Sequence, residues 1–229
     1  MPIRLLGGVA IRLRAPEQQA AALCRQYQDL DFVAPKRSTG AVQAFFRDEG
    51  YAAHVAFNAL NGNERLLFFD EEHGRQVDVF VGDFRMCHAI PLGGRVDLEP
   101  RTLPLAELLL TKLQVVELNE KDVRDTVCLL HDHEVGEEDG ETVNAARIAV
   151  LCANDWGLWR TFTANLRDIE SHLDRYELTE GRRREVAGRI EAILARIGEE
   201  PKSRGWRLRA RVGERKRWYE LPEEVAGGP

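Results

Sequence analysis

The sequence predicts an α+β fold, with a mixed sheet in the first hundred residues and a helical second half. Three observations carry that expectation. Short apolar runs alternating with polar residues recur between residues 3 and 98, bounded by Gly and Asp turns. After Pro104 the apolar residues fall instead at three- and four-residue spacing. The chain as a whole, 229 residues with 44% hydrophobic and 31% charged, has the composition of an ordered globular protein rather than a disordered one.

The elements follow in order. Residues 3–6 read as a short apolar strand ended by Gly7-Gly8, and residues 9–13 as the opening turns of a helix. A strand, two glycines and a helix leave backbone N–H groups free at a helix N-terminus, where an anion is favoured. Pro16 interrupts that helix, and residues 17–27 are expected to be helical or partly looped before a strand at 29–34. Residues 39–50 should form a helix, with Thr39 near its start, Val42, Phe45 and Phe46 at helical spacing, and Gly50 closing it. Strands are expected at 54–57, 65–69 and 76–81, the last two joined hairpin-like across Asp70-Glu-Glu-His-Gly74. A further strand pair is expected at 86–90 and 95–98. Helices are expected at 105–118, 121–133, 141–154, 158–176 and 180–197, and residues 206–221 read as a basic hairpin around Gly213-Glu214. The organisation implied is 1–100, 101–200 and 201–229.

Net charge is −6, but its distribution is uneven. Between residues 203 and 218, Arg204, Arg207, Arg209, Arg211, Arg215, Lys216 and Arg217 face one acid, Glu214, so this end alone is positioned to attract a polyanion such as RNA. Trp206, Trp218 and Tyr219 are interleaved there; the plainer reading is a salt-bridged surface hairpin. No apolar run approaches membrane-spanning length and the start does not read as a signal peptide, so no membrane partner and a cytoplasmic location are expected. Cys24, Cys87, Cys128 and Cys152 lie too far apart for a CxxC pair and read as reduced, mostly buried thiols.

The residues that could carry chemistry are acidic. In Asp29-Leu-Asp31 a period of two puts both carboxylates on one strand face, about 6.5–7 Å apart. Two hard oxygen ligands so placed invite a divalent cation, and magnesium commonly takes one or two protein carboxylates with waters and phosphates. Val77, Val79 and Val81 alternate with Asp78 and Phe80, which turns Asp78 away from the valines and makes it a candidate third ligand for a two-metal site. Taken alone, acids at strand ends are ordinary.

In sequence order, a strand, Gly7-Gly8, a helix, Asp29-Leu-Asp31-Phe on a strand and Val-Asp78-Val-Phe on a later one resemble the nucleotidyltransferase superfamily with the polymerase-beta catalytic fold. Gly-Gly-Val-Ala also looks like openings of its abortive-infection branch, which contains the nucleotidyltransferase toxins of toxin–antitoxin pairs. The resemblance covers about residues 3–132 and includes a lysine on one helix, Lys112, followed by Lys121-Asp122-Val-Arg-Asp125. It implies that residues 1–100 are a catalytic core and 101–200 a helical domain. Gly7 and Gly8 would hold a nucleoside triphosphate, with Lys112, Asp122 and Asp125 contacting it or orienting one another. Asp29, Asp31 and Asp78 would bind Mg2+, and Asp78 would help deprotonate the acceptor hydroxyl. It also implies a cognate antitoxin as partner. The acceptor stays open between tRNA or another RNA, a protein, and a small aminoglycoside-like compound, as does the alternative of a nucleotide-binding or interaction protein that has lost turnover. The plainer readings are that Lys112 snorkels from an amphipathic helix and Asp122 caps the next one. Many relatives carry Arg and Ser or Thr just before the paired aspartates; here the sequence is Arg25-Gln-Tyr-Gln28, so a phosphate contact from that position comes from Arg25 or is absent.

Other candidates carry less. His131 and His133 lie on different faces of their helix, Glu71, Glu72 and His73 sit at a hairpin tip, and Trp156 and Trp159 suggest packing. His54 and His88 are expected in strands, with no role assigned by spacing.

Overall fold

The computed structural model describes residues 2–15, 23 and 25–221. The sheet has the order β1-β2-β5-β4-β3: β1 (Arg4–Leu6), β2 (Asp29–Ala34), β5 (Arg75–Val81), β4 (Arg65–Asp70) and β3 (Ala52–Ala53). It is mixed, because β2 and β5 run parallel while every other neighbouring pair is antiparallel. The strands expected at 29–34, 65–69 and 76–81 are present, the last two as a hairpin whose turn carries Gly74 at φ 63°. A positive φ there is accessible to glycine at little cost.

Period two divides the sheet into two faces. Val77, Val79 and Val81 join Leu66 and Phe68 beneath α2 (Thr39–Asp48), whose Val42 and Phe46 fill the space between. Val33 and Phe80, on the opposite face, enter a larger core shared with α1 (Gly7–Arg14), α4 (Leu105–Leu113), α5 (Glu120–Asp132), α6 (Ala145–Asn154), α7 (Trp156–Ser171) and α8 (Glu180–Glu199). That core runs across residue 100: Leu6, Ile11 and Phe80 pack in the same cluster as Leu109, Phe162 and Ile190. The helical half thus covers one face of the sheet, and α1 packs against both α4 and α5.

Several expectations need correction. The segment 54–57 is not a strand: His54 caps α3 (Val55–Asn61), its Nδ1 accepting from Phe57 N at 3.2 Å. The pair expected at 86–90 and 95–98 is instead β6 (Phe84–Arg85) with β7 (Ala89–Ile90). Beyond it the chain is irregular, because Arg95 turns inward to the buried carboxylate of Glu107 on α4, at 2.7 and 2.9 Å. A desolvated acid must be paired, and Arg147 of α6 supplies its second cation at 3.0 Å. The helix expected from 141 begins at Ala145, after β9 (Val143–Asn144) pairs with β8 (Val135–Gly136). Residues 206–221 are not a hairpin: α9 (Arg204–Val212) starts on Ser203, whose hydroxyl accepts from Trp206 N, and is followed by a short 3-10 turn at Gly213–Arg215. From Lys216 to Leu221 the chain runs as a strap without helix or strand. The expected helix or loop at 17–27 lies mostly outside the described residues, as does Cys24. Cys87, Cys128 and Cys152 are buried free thiols, with burial first pushing Cys128 and Cys152 up to about 12. Among the described residues, no helix is long and apolar enough to cross a membrane.

Candidate active site

The parallel pairing of β2 with β5 is what assembles the acids. Its register sets Asp31 directly opposite Asp78 and Asp29 opposite Gln76, all on the face that continues to Val33 and Phe80. Neighbouring strands lie about 4.8 Å apart, so Asp31 and Asp78 start from adjacent backbones and share one space. Asp29 is exposed at the strand's start, whereas Asp31 is partly covered and Asp78 is 3% exposed. Crowding by protein and then the negative charge of Asp78 push Asp31 up to about 7, against the opposing pull of Lys112 and Arg65. Although solvent still touches Asp31 through the cleft mouth, protein surrounds its carboxyl closely enough to favour the neutral form.

Asp78 is held differently. Arg65 Nε donates to Oδ1 at 2.6 Å and Gln76 Nε2 to Oδ2 at 2.7 Å. The Arg65 guanidinium also lies 5.3 Å from the Phe80 ring and 5.7 Å from that of Phe57. Neither Arg65 nor Gln76 is singled out by the sequence motifs. A signal existed: Arg65 pairs with Phe80, one same-face step along β5 from Asp78, where diagonal cross-strand partners meet.

The glycine turn closes the same space. Gly7 adopts φ 67°, and a Cβ there would collide with the Asp31 carboxylate; a Cβ on Gly8 would collide with the Arg25 guanidinium. Gly7 is thus favoured by conformation as well as by close approach, and Gly8 by close approach alone. The structure places the turn against Asp31, since Leu6 pairs with Asp31 across β1 and β2.

Opposite the acids, α4 presents Lys112 and the first turns of α5 present Asp122 and Asp125. Asn119 caps α5 by accepting from Asp122 N, so the cap expected at Asp122 belongs to Asn119 and leaves the Asp122 carboxylate free for Lys112. Lys112 Nζ lies 3.0 Å from Asp122 and 2.9 Å from Asp125. Arg25 donates to both oxygens of Asp125, at 2.9 and 2.7 Å, and lies 4.2 Å from the Tyr27 ring. Burial pulls Lys112 down, but Asp125 and Asp122 outweigh it and leave the ammonium above its usual range. Two cations and two anions make a closed network here.

These groups line a cleft of about 300 Å3 between Gly7, the three aspartates, Arg65 and Lys112. On one flank Gly8, Arg25, Tyr27 and Lys121 border a chamber of about 190 Å3 that also includes Asp29, Asp31 and Lys112. Every residue singled out by the motifs, Gly7, Gly8, Asp29, Asp31, Asp78, Lys112, Asp122 and Asp125, therefore lies in or directly behind one site. The other candidates lie elsewhere. His88 is buried with Nε2 2.9 Å from Thr161 Oγ1, and His133 bonds the carbonyls of Glu141 and Arg14. His73 pairs with Asp70 at the exposed turn, and Trp156 packs on Trp159.

Among the described residues, no three His, Cys, Asp or Glu side chains converge as a ready-made metal shell, since Asp78 is turned to Arg65 and Gln76. The chemistry of Asp29 and Asp31 with Asp78 nevertheless fits a hard divalent cation: oxygen donors alone, on adjacent strands, whose mutual repulsion a cation would relieve. No protein-family model, no curated protein and no solved structure matches this chain.

Proposed function

We propose that the protein is a magnesium-dependent nucleotidyltransferase that transfers a nucleoside monophosphate from a triphosphate to an acceptor hydroxyl. The observation that carries the reading is the Asp31–Asp78 register on parallel strands, with Gly7 packed against Asp31 and Lys112 across the cleft. Acids opposed to a glycine turn and a lysine are the complement of a metal-bound polyphosphate.

In this reading Gly7 and Gly8 give the triphosphate close backbone approach, and Lys112 supplies a point charge from a position fixed by Asp122 and Asp125. Magnesium bound by Asp29, Asp31 and Asp78 would neutralise phosphate charge. The acceptor oxygen forms a bond to the α-phosphorus, the bond from that phosphorus to the β-phosphate oxygen breaks, and pyrophosphate leaves with the electron pair. The hydroxyl proton goes to the Asp31–Asp78 pair.

One observation favours a second reading, a nucleotide-binding protein without turnover: Asp78 already has two donors, Arg65 and Gln76. Incubation with labelled triphosphates, magnesium and a panel of RNA, protein and small hydroxylated acceptors separates them. The enzyme labels an acceptor, and Asp31→Ala abolishes labelling while the far-UV spectrum is unchanged. Nucleotide binding without labelling of any acceptor leaves the second reading standing. A cognate antitoxin would be recovered as a stable complex when the neighbouring gene is co-expressed.

A further inference from the structure

The cleft has a second neighbour. Beyond Arg65 and Met86, which it shares with the cleft, a cavity of about 240 Å3 is lined by Phe57, Asn61, Glu64, Arg85 and the strap residues Glu220 and Leu221. Several fixed contacts bring the strap there. Gly157 is a glycine because a Cβ would sit 2.5 Å from the Trp218 carbonyl oxygen. Trp218 Nε1 donates to Thr161 Oγ1 at 3.1 Å, beside buried His88, and Glu220 N donates to Cys87 O at 3.0 Å. Arg209 donates to the carbonyls of Gly213 and Lys216, each at 2.6 Å, and its guanidinium lies 4.7 Å from the Trp156 ring.

We infer that this strap-walled cavity is the acceptor site, and that it takes the 3′-terminal nucleotide of a single-stranded RNA; the inference rests on the nucleotidyl-transfer reading above. Attack and departure lie roughly in line at phosphorus, so acceptor and pyrophosphate occupy opposite flanks of the carboxylates. The flank with Gly8, Arg25 and Lys112 suits the phosphates. The acceptor is left with the flank beyond Asp78 and Arg65.

The lining fits a nucleotide. Phe57 and Met86 offer apolar surface to a base, and Asn61 and Glu220 offer hydrogen bonds to its edge or ribose. Arg65 is held by Asp78, whereas Arg85 meets Glu64 only in a long, exposed pair at 3.9 Å, which a phosphate can displace. The strap leads from that cavity to exposed Arg217, Lys216, Arg215 and Arg211. Helix α8 offers a contrast: its Arg182, Arg183, Arg184, Arg189 and Arg196 all pair with acids. Among the described residues, no acid within ion-pair distance answers those four strap and α9 cations; the nearby Glu214 pairs with Arg160. They are available to a phosphate backbone.

The test is fluorescence anisotropy of a 5′-labelled oligoribonucleotide on the full chain without metal, beside binding of a fluorescent triphosphate analogue with magnesium present. RNA should bind with a salt dependence of about 0.7 log units per phosphate contact. Arg85→Glu combined with Arg217→Glu should weaken it about tenfold or more and flatten that dependence, with analogue affinity unchanged. A 3′-phosphorylated oligonucleotide should bind more weakly than its 3′-hydroxyl counterpart, because its end meets Asp31 and Asp78. If the analogue binds and RNA does not, or RNA ignores the substitutions and its 3′ end, the acceptor assignment alone is overturned. The same holds if a small polyhydroxylated compound is labelled and RNA is not. If neither ligand binds, the nucleotidyl-transfer reading falls with it.

Discussion

The two walls of the cleft handle charge in opposite ways. On the helical wall, Arg25 and Lys112 meet Asp122 and Asp125 in a network where each buried charge has a partner within 3.0 Å. On the sheet wall, Asp29, Asp31 and Asp78 share the charge of Arg65, which is bonded to Asp78 alone. The first arrangement is complete without a ligand and serves to fix Lys112. In the second, burial and then the negative charge of Asp78 push Asp31 up to about 7, and a bound cation would relieve the repulsion between the two. Closed networks hold a site in place, and open ones are where binding energy is to be gained.

Breaking the closed wall should have the largest effect. Asp125→Ala strands Arg25 partly buried and leaves Lys112 with Asp122 alone, and removing one partner of a buried pair typically costs about 3–5 kcal/mol, so urea denaturation should shift to a clearly lower midpoint. A midpoint equal to that of the parent chain would mean the network contributes nothing.

The open wall should respond with the opposite sign. Asp31 has an unfolded value of 3.8 and a folded value raised to about 7, so between those pH values the native state holds a proton the unfolded chain has lost. Stability therefore falls as pH rises through that window and levels off above it. Asp31→Asn should remove the slope and raise stability at pH 8 by about 2–3 kcal/mol, an order-of-magnitude figure, with little change at pH 4. Denaturation at the two pH values checks it; a loss at pH 8 would mean the carboxylate is stabilising. Smaller still, Gly157→Ala should lower stability by about 1–2 kcal/mol through overpacking against Trp218 and should weaken RNA binding with it. Unchanged RNA binding would detach the strap from the acceptor flank.

The two walls also differ in how far the sequence discloses them. Alternation places Asp29 and Asp31 on one face of their strand and turns Asp78 away from Val77, Val79 and Val81, because a strand repeats every two residues; that the two strands pair in parallel and so share that face it does not disclose. It does not disclose that Arg65 reaches Asp78, which depends on the register of a hairpin. Nor does it disclose that Arg25 reaches Asp125, a hundred residues away. Local pattern misleads most at the ends of elements. His54 looks like a strand residue until its ring caps α3, and the Arg-rich segment looks like a hairpin until Ser203 starts α9. The strap's destination at Cys87 has no periodic signal, although Gly157 beside two tryptophans records the close approach.

The most direct measurement is thermal unfolding at pH 8 of the parent chain and Asp31→Asn, each titrated with Mn2+ while free Mn2+ is counted by electron paramagnetic resonance. Mn2+ should bind the parent and raise its midpoint, the added stability being about 2.7 kcal/mol at a hundredfold excess over Kd. Without metal, Asp31→Asn should begin above the parent and gain nothing from the ion. Equal Mn2+ uptake by both chains, or a metal-free midpoint of Asp31→Asn below the parent, would contradict a cation site built on the Asp31–Asp78 face.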